Sequence, residues 1–342
     1  NALLSDKEHC QFLGETTVVY WAKDADPEAQ DLFKLVLDSP PLDQKAIQDV
    51  DLQLKGIFEK MARGDRIIYG TDIDQPFYVL GLAPNAARVS VRFFLRDTVG
   101  HMLQNLQAHY ERLEIAKAPF EPEYLSLPAL LQETVNSNSR EKTASPLLAG
   151  AVLRAILSGM PYPRALYIGA MLRVRAEQDS PEKHTQKVSR GRAAILKAYL
   201  SQTLHHPSDK EVLTVALNEQ STNRAYVLGR LFAVLEKAQL DANRDINTTI
   251  KDRYFTAACA TPKTAFPTLL RLSMHHISKS EYGYITEQQI AALMDKLEIE
   301  NDPFPATLAL EDQGLFILGY YHQFQARFAK KAPKTKKAKE DV

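Results

Sequence analysis

The hydrophobic pattern of this chain changes character about a third of the way along. Up to Leu95 it contains short β-branched and aromatic runs: Thr16 to Trp21 (T-T-V-V-Y-W), Arg66 to Tyr69, Phe77 to Leu82 and Arg88 to Leu95. Runs of that length and composition predict strands. Ala83-Pro84-Asn85-Ala86 predicts the turn between the last two, because Pro presets its φ and Asn tolerates unusual backbone angles. Amphipathic periods over about residues 28–37 and 43–61 predict helices among these strands, and Asp97 is placed to cap another running to about Ile115. Farther on, strand signals fade. Helical periods then follow one another over about residues 146–159, 163–178, 187–203, 223–240, 245–259, 264–279, 286–298 and 307–329. Gly159-Met160-Pro161, His206-Pro207, Thr261-Pro262 and Pro303-Phe304-Pro305 punctuate them. The expected fold is an α+β N-terminal part, a small antiparallel sheet with helices, followed by an all-α helical bundle.

Between the two patterns lies a loop-like stretch with Pro119, Pro122, Pro128 and the polar run N-S-N-S-R-E-K-T. The expected division is therefore an α+β domain over 1–118, a linker over 119–143, the helical bundle over 144–330 and a basic tail over 331–342. The tail lacks large apolar residues and is expected to be disordered.

Within the helical part, Asn223 to Gln239 shows two faces at 100° per residue. Ala225, Leu228, Leu231, Phe232 and Leu235 form one; Tyr226, Arg230, Ala233 and Lys237 form the other. The first is a core face. The second is aromatic and basic, suited to a partner that is flat in places and anionic in others, although cations on an outer face are also commonly just solvated. On a helix through Lys183 to Ser201, Lys183, Lys187, Arg190 and Lys197 fall within about a quarter of the circumference. Such a stripe can meet phosphates or water. Arg192 falls on the apolar side, where an internal carboxylate partner is expected, and Arg253 projects with Ile246, Ile250 and Ala257, again predicting an internal ion pair. Arg224, beside the expected N-cap Asn223, sits where backbone N–H groups favour anions. In Glu311 to Gln325, Leu315, Leu318 and His322 share a face, as do Phe316, Tyr320 and Phe324. Gly319 permits close helix approach, and Gln323 and Gln325 can reach a nucleic-acid backbone or water.

Charge sharpens this picture. The formal net charge is zero, yet residues 1–139 carry 13 Lys/Arg against 21 Asp/Glu, residues 140–253 carry 18 against 11, and residues 254–342 carry 11 against 10. The middle of the chain is basic, which either steers a polyanion or faces the acidic segment within the fold. With 342 residues, 45% hydrophobic and 25% charged, the composition is that of a globular protein with room for two domains. No apolar run approaches the roughly 20 residues of a membrane span. Cys10 and Cys259 are the only cysteines, so there is no disulfide framework or C-x-x-C pair, and a reducing cytoplasm is the natural setting. The first residues lack an initiator Met and a signal pattern, as expected of the interior of a longer protein.

No catalytic motif stands out. G-x-x-x-x-G-K-[ST], G-x-S-x-G and H-E-x-x-H are all absent. His275 and His276 are adjacent and point about 100° apart on a helix, unlike an i, i+4 metal pair, and His205-His206 precedes Pro207 in an expected loop. Asp72 and Asp74 in T-D-I-D read more naturally as a turn than as a Mg²⁺ or acid–base pair. No catalytic residue, metal or cofactor is expected.

The spelling of several segments adds a resemblance. G-E-T-T-V-V-Y-W-A at 14–22, V-L-G-L-A-P-N-A-A-R-V-S-V-R-F at 79–93, N-x-A-Y-x-L-G-R-L-F-A-x-L-E-x-x-Q from Asn223, T-T-I-K-D-R-Y-F at 248–255, T-P-K-T-A-F-P-T-L-L at 261–270 and Q-G-L-F-I-L-G-Y-Y-H-Q at 313–323 resemble, in this order, the large subunit of the type I-C CRISPR interference complex, Cascade. The match is specific to family and silent as to chemistry. It implies a non-catalytic piece of an RNA-guided DNA surveillance complex whose partners are guide RNA, backbone and small subunits, target and displaced DNA strands and a recruited helicase-nuclease, with no membrane. Base pairing would read the target while protein reads backbone shape and a short flanking duplex. The resemblance also implies a further N-terminal region holding the residues that read the flanking motif, and a C-terminal region resembling small subunits, also made separately by internal translation. In that frame Lys183, Lys187, Arg190, Lys197, Arg224, Tyr226, Arg230 and Lys237 are the expected nucleic-acid-binding residues. The competing reading is a helical scaffold that binds acidic protein partners without touching nucleic acid; a metal-dependent hydrolase using scattered carboxylates is a weaker third.

Overall fold

The computed structural model describes residues 10–13, 16–21, 76–85, 88–139, 143–180, 185–243, 246, 248–298 and 302–328. The predicted strand at Arg66–Tyr69, the helices over 28–37 and 43–61, Asp72 and Asp74, Lys183 and the tail over 331–342 lie outside the described residues. The chain forms two compact units. The first takes residues up to Ile115 together with Glu121–Leu213; the second takes Ala116–Phe120 and the chain from Thr214 onward.

The described strands of the first unit are β1 (Cys10–Leu13), β2 (Thr16–Trp21), β3 (Pro76–Asn85) and β4 (Arg88–Thr98), in one sheet ordered β1-β2-β3-β4 with every pair antiparallel. The expected turn at Ala83–Ala86 is displaced. Ala83, Pro84 and Asn85 pair with Ser90, Val89 and Arg88, so three of its four residues belong to the ladder. Among the described residues the β2 ladder ends at the Thr17–Leu82 pair, two residues short of Pro84, and Pro is accommodated where its N–H is not needed by a neighbouring strand. A register shift between Gly81 and Leu82 marks the same place.

Five substantial or short helices follow: α1 (Val99–Leu113), α2 (Leu127–Gln132), α3 (Pro146–Ser158), α4 (Arg164–Ala176) and α5 (Arg190–Thr203). The cap of α1 is Thr98 rather than Asp97: its side chain accepts from His101 N at 3.3 Å, while Asp97 accepts from Thr98 N. Residues 119–143, expected to be a linker, contain α2, whose Leu127, Leu130 and Leu131 are buried. Helix α5 lies at the centre of this unit, packed against α1, α2 and α4. Gly191, Ala193, Ala194 and Ala198 keep it slim enough to be enclosed, and even its Arg190, Arg192 and Lys197 are buried. The short α6 (Pro207–Lys210) closes the unit.

The second unit is built on α7 (Arg224–Ala242), surrounded by α8 (Ile250–Ala260), α9 (Pro262–Ile277), α10 (Gly283–Leu297) and α11 (Leu310–Gln325). Asn223 caps α7 with its side-chain oxygen on Tyr226 N at 3.1 Å. Thr249 and Asp252 form a reciprocal capping box on α8. The principal packing is α7 on α11, where Gly229 faces the backbone of Phe316 and Gly319 faces the backbone of Tyr226. Around this crossing Phe232, Phe255, Phe316 and Tyr320 meet edge to face, with centroids 5.0–6.2 Å apart. No helix among the described residues is long and apolar enough to cross a membrane.

Candidate nucleic-acid interface

The basic stripe expected on residues 183–201 is not an outer face. Helix α5 begins at Arg190, capped by Ser189, so Lys187 precedes it and the four cations do not share one helix. Lys187 is buried, and its Nζ donates to Glu177 O at 2.8 Å and Arg175 O at 3.4 Å. Lys197 is buried too, with Nζ donating to Glu114 O at 2.7 Å and Arg112 O at 3.0 Å. These are equivalent places: in each case the carbonyls belong to the residue before the last of a helix and to its C-cap, at the end of α4 for Lys187 and of α1 for Lys197. Those carbonyls have no partner within their own helix, and an ammonium there also complements the negative end of the helix dipole. Burial lowers the Lys197 pKa, with Glu114 opposing. Arg190 likewise ends on main-chain oxygens, here of the loop between α1 and α2, donating to Pro122 O and Glu123 O at 2.5 and 2.9 Å.

Arg192 fulfils its expected internal role. Its Nη2 lies 3.0 Å from Glu177 Oε2 and its Nε 3.2 Å from Glu133 Oε2, while Nη1 donates to Gln186 O and Lys187 O. One guanidinium thus serves two carboxylates, and their environments push them apart. Burial raises the pKa of Glu133 against the pull of Arg192. In Glu177 burial is outweighed by the Ser137 N–H at 3.1 Å and by Arg192, so its pKa falls below the ordinary value.

The second face of α7 is also interior. Tyr226 is fully buried; its hydroxyl accepts from Asn218 N at 3.2 Å and lies 2.9 Å from His322 Nδ1. Burial pushes its pKa up to about 12. Arg230 is 7% exposed, donating from Nη1 to Asn218 O and Glu219 O at 3.3 and 3.1 Å and from Nε to Gln323 Oε1 at 3.1 Å. Gln323, expected to reach a backbone or water, accepts that bond instead. Lys296 on α10 reaches the same Glu219 carbonyl and, at 3.3 Å, Ser221 O. The loop ahead of α7 is therefore clamped by three side chains. Lys237 is half-exposed and paired one turn on with Asp241, and Arg224 is half-buried.

The physical reason for these corrections is common to all of them. A projection at 100° per residue assumes that a central helix keeps one wet face, but α5 and α7 are enclosed on nearly every side. Their long cationic stems cross apolar surroundings and end on main-chain oxygens, which supply the compensation that buried charge requires. Arg253 errs in the opposite direction: it is exposed, and Lys251 is the buried cation of α8, lying 5.2 Å over the Tyr320 ring and 6.0 Å from that of Phe324. Sequence reasoning also missed Arg327, whose Nη2 donates to Ala233 O, and the buried Glu236, which accepts from Tyr320 Oη at 2.7 Å. Glu236 lies one residue before Lys237 in the segment that drew attention, assigned to neither face there, although at 100° per residue it projects beside Ala225 and Phe232 on the core side. His275 is exposed and His276 half-buried. Among the described residues no three His, Cys, Asp or Glu side chains are gathered to hold a metal.

The cations thus brought to order are staples of the fold. Their position says what stabilises the two units, and it removes Lys187, Arg190, Lys197, Tyr226 and Arg230 from any exposed binding face. A family model described as CRISPR-associated protein (Cas_Csd1) matches residues 1–328. No individually curated protein matches the chain.

Proposed function

We propose, since the chain belongs to the Cas_Csd1 family of CRISPR-associated proteins, that this Cascade-type subunit is the large subunit of a type I-C interference complex. In that role it is a non-catalytic component that steadies target and displaced DNA strands and helps to recruit the helicase-nuclease. The observation that carries the reading is the family match over residues 1–328, with which the ordered resemblance of its segments agrees. The helical architecture supports it: each unit is braced internally by buried cations, and an RNA-guided effector leaves sequence reading to base pairing. The fold class that goes with it is an α+β first part joined to a helical bundle, and the setting is the cytoplasm.

A tagged chain co-expressed with guide RNA and the remaining subunits should copurify with the guide and retain matched duplex DNA. Recovery of the chain free of guide RNA and of the other subunits would refute the proposal. A second reading, in which the chain docks a neighbouring protein through apolar surface rather than an acidic partner through cations, draws on a different observation. Leu272, Met274, Tyr282, Tyr284 and Ile285 are all exposed on α9, α10 and the turn between them, beside a groove whose lining includes Leu270, Met274, Ile277 and Ile290 together with Arg271 and Glu287. Surface of that composition suits a neighbouring protein subunit. Changing Met274 and Tyr284 to Ser would then weaken assembly without altering DNA affinity.

A further inference from the structure

The cations singled out by periodicity are consumed inside the fold, so the question becomes which cations the fold leaves in water with no carboxylate near them in sequence. Residues 142–176 contain Lys142, Arg154, Arg164, Arg173 and Arg175 and not one Asp or Glu. This stretch holds α3 and α4. Arg154, Arg164 and Arg175 are exposed; Arg173 is half-buried, 4.0 Å from Glu177. Among the described residues neither Arg154 nor Arg164 makes a side-chain hydrogen bond or ion pair. The exposed large side chains of the same stretch are Leu147, Met160 and Leu172, all apolar.

We infer that the solvent-facing arginines of α3 and α4 form a contact surface for the phosphate backbone of a nucleic acid. The inference rests on the CRISPR reading above and moves its contact residues to the first unit. Three arguments carry it. First, α3 and α4 carry no carboxylate of their own, whereas the half-exposed Lys237 and the exposed Lys263 are each paired with an Asp. Second, the cations of this surface are arginines, whose planar fork matches phosphate oxygens in pairs. Third, the spacing is extended. Arg164, Ile168, Leu172 and Arg175 lie on one side of α4, so its two exposed arginines stand about 16 Å apart along the axis, an axial distance of about five base pairs. On α3, Leu147, Ala151, Arg154 and Ser158 share a face in the same way. Phosphate contacts of this kind position a strand without reading its sequence, which is the task left to protein when a guide does the reading.

The test uses the complete chain in its guide-RNA complex, with labelled duplex, single-stranded DNA and single-stranded RNA of one scrambled sequence as probes. In Arg154→Ala/Arg164→Ala two phosphate contacts are lost. The slope of log affinity against log salt should flatten by about 1.8 on duplex or about 1.4 on a single strand. Between 50 and 200 mM salt the native complex should therefore lose about 12-fold more affinity than the variant on duplex, or about 7-fold more on a single strand. The probe showing that difference identifies the strand. Arg154→Lys/Arg164→Lys should keep the native slope, and Arg253→Ala/Arg271→Ala, exposed arginines of the second unit, should leave it unchanged. Both changes are at exposed positions, and an unaltered thermal melt confirms the fold. If the alanine variant assembles with guide RNA and binds all three probes with native affinity and slope, the inference is overturned while the large-subunit reading stands. Loss of subunit copurification with native DNA binding overturns it in favour of an acidic protein partner. A native chain that fails to assemble at all is the failure of the large-subunit reading.

Discussion

The crossing of α7 and α11 can be tested by adding one methyl group. A Cβ on Gly229 would stand 2.8 Å from both Phe316 C and Tyr320 N and closer still to Phe316 O; one on Gly319 would stand 2.9 Å from Tyr226 C. These are backbone atoms, so no side chain can rotate away. Restoring ordinary contact to the Phe316 and Tyr226 carbonyl oxygens requires the helices to part by more than about 1 Å, and a gap of about 0.5–1 Å already forfeits a quarter to a half of each dispersion contact across the interface. That interface is the most extensive in the second unit and contains Phe232, Phe316 and Tyr320, all buried. Overpacking costs about 1–3 kcal/mol in a core that can adjust. Against this, replacing Gly by Ala inside a helix gains about 1 kcal/mol. For a clash with backbone, a net loss of about 2 kcal/mol is expected for Gly229→Ala, lowering the melting temperature by roughly 5–10 °C for a unit of this size. The sign makes the experiment decisive. If the helices did not approach so closely, the propensity term alone would raise the melting temperature, so a neutral or stabilised Gly229→Ala, read by calorimetry, would refute the packing. Gly229→Ala/Gly319→Ala should cost less than the two single changes together, because one separation relieves both clashes.

Three further outcomes follow from the buried polar groups. Lys197→Met leaves Arg112 O and Glu114 O without their donor and should destabilise the first unit by about 2 kcal/mol in urea titration while leaving DNA affinity per folded molecule unchanged. His109 is buried with Nδ1 2.6 Å from Tyr162 Oη, and burial, then Arg112, hold its pKa down at about 3. Its unfolded counterpart protonates near 6.5, so the stability it contributes is complete above that pH and declines toward pH 3 by about 1.4 kcal/mol per unit; in His109→Gln that part of the pH dependence should vanish. Glu177, whose pKa is depressed, contributes stability that is lost only as pH falls below the usual carboxylate range, and Glu177→Gln should flatten the acid limb of the first unit's denaturation curve.

How much of this was legible can be judged position by position. Element existence could be read wherever a one-sided pattern met a cap: Thr16–Trp21 forms a strand over those residues, and Asn223 starts α7 through its own side chain. Arg192 on an apolar face correctly implied internal carboxylates, because a charge flanked by core positions has few alternatives. Two kinds of information were not available. The sequence carries no sign that α5 and α7 are central, since Ala- and Gly-rich helices with scattered cations also occur on surfaces. Nor does it show which main-chain oxygens lie at the end of a long side chain, as Lys197 is 83 residues from Glu114. The candidate site was consequently assigned to cations that are internal, while Arg154 and Arg164, isolated on their helices, drew no attention.

That misassignment has its own logic. Helices commonly end on a glycine in the left-handed region, which satisfies their last carbonyls locally. Among the described residues a positive φ occurs at one glycine, Gly159, where α3 ends. Helices α1 and α4 instead have Glu114 and Glu177 as C-caps in extended or near-extended conformation, so the chain leaves each helix without closing its carbonyls. Lys197 and Lys187 close them from a distance, at the same two positions in each helix. A distant cation does something that a local glycine cannot: it ties the end of one helix to another element and adds a charge at the negative end of the dipole. A glycine terminator would fix where a helix stops and leave its docking to apolar contacts alone. Because Lys197 joins segments 83 to 85 residues apart, replacing it with a residue that caps nothing should loosen docking before it shortens the helix. Hydrogen exchange in Lys197→Met should therefore rise along the face of α1 that meets α5, with the amides at the N-terminal end of α1 still protected. Uniform loss of protection along α1 would instead mean that the lysine acts on the helix itself.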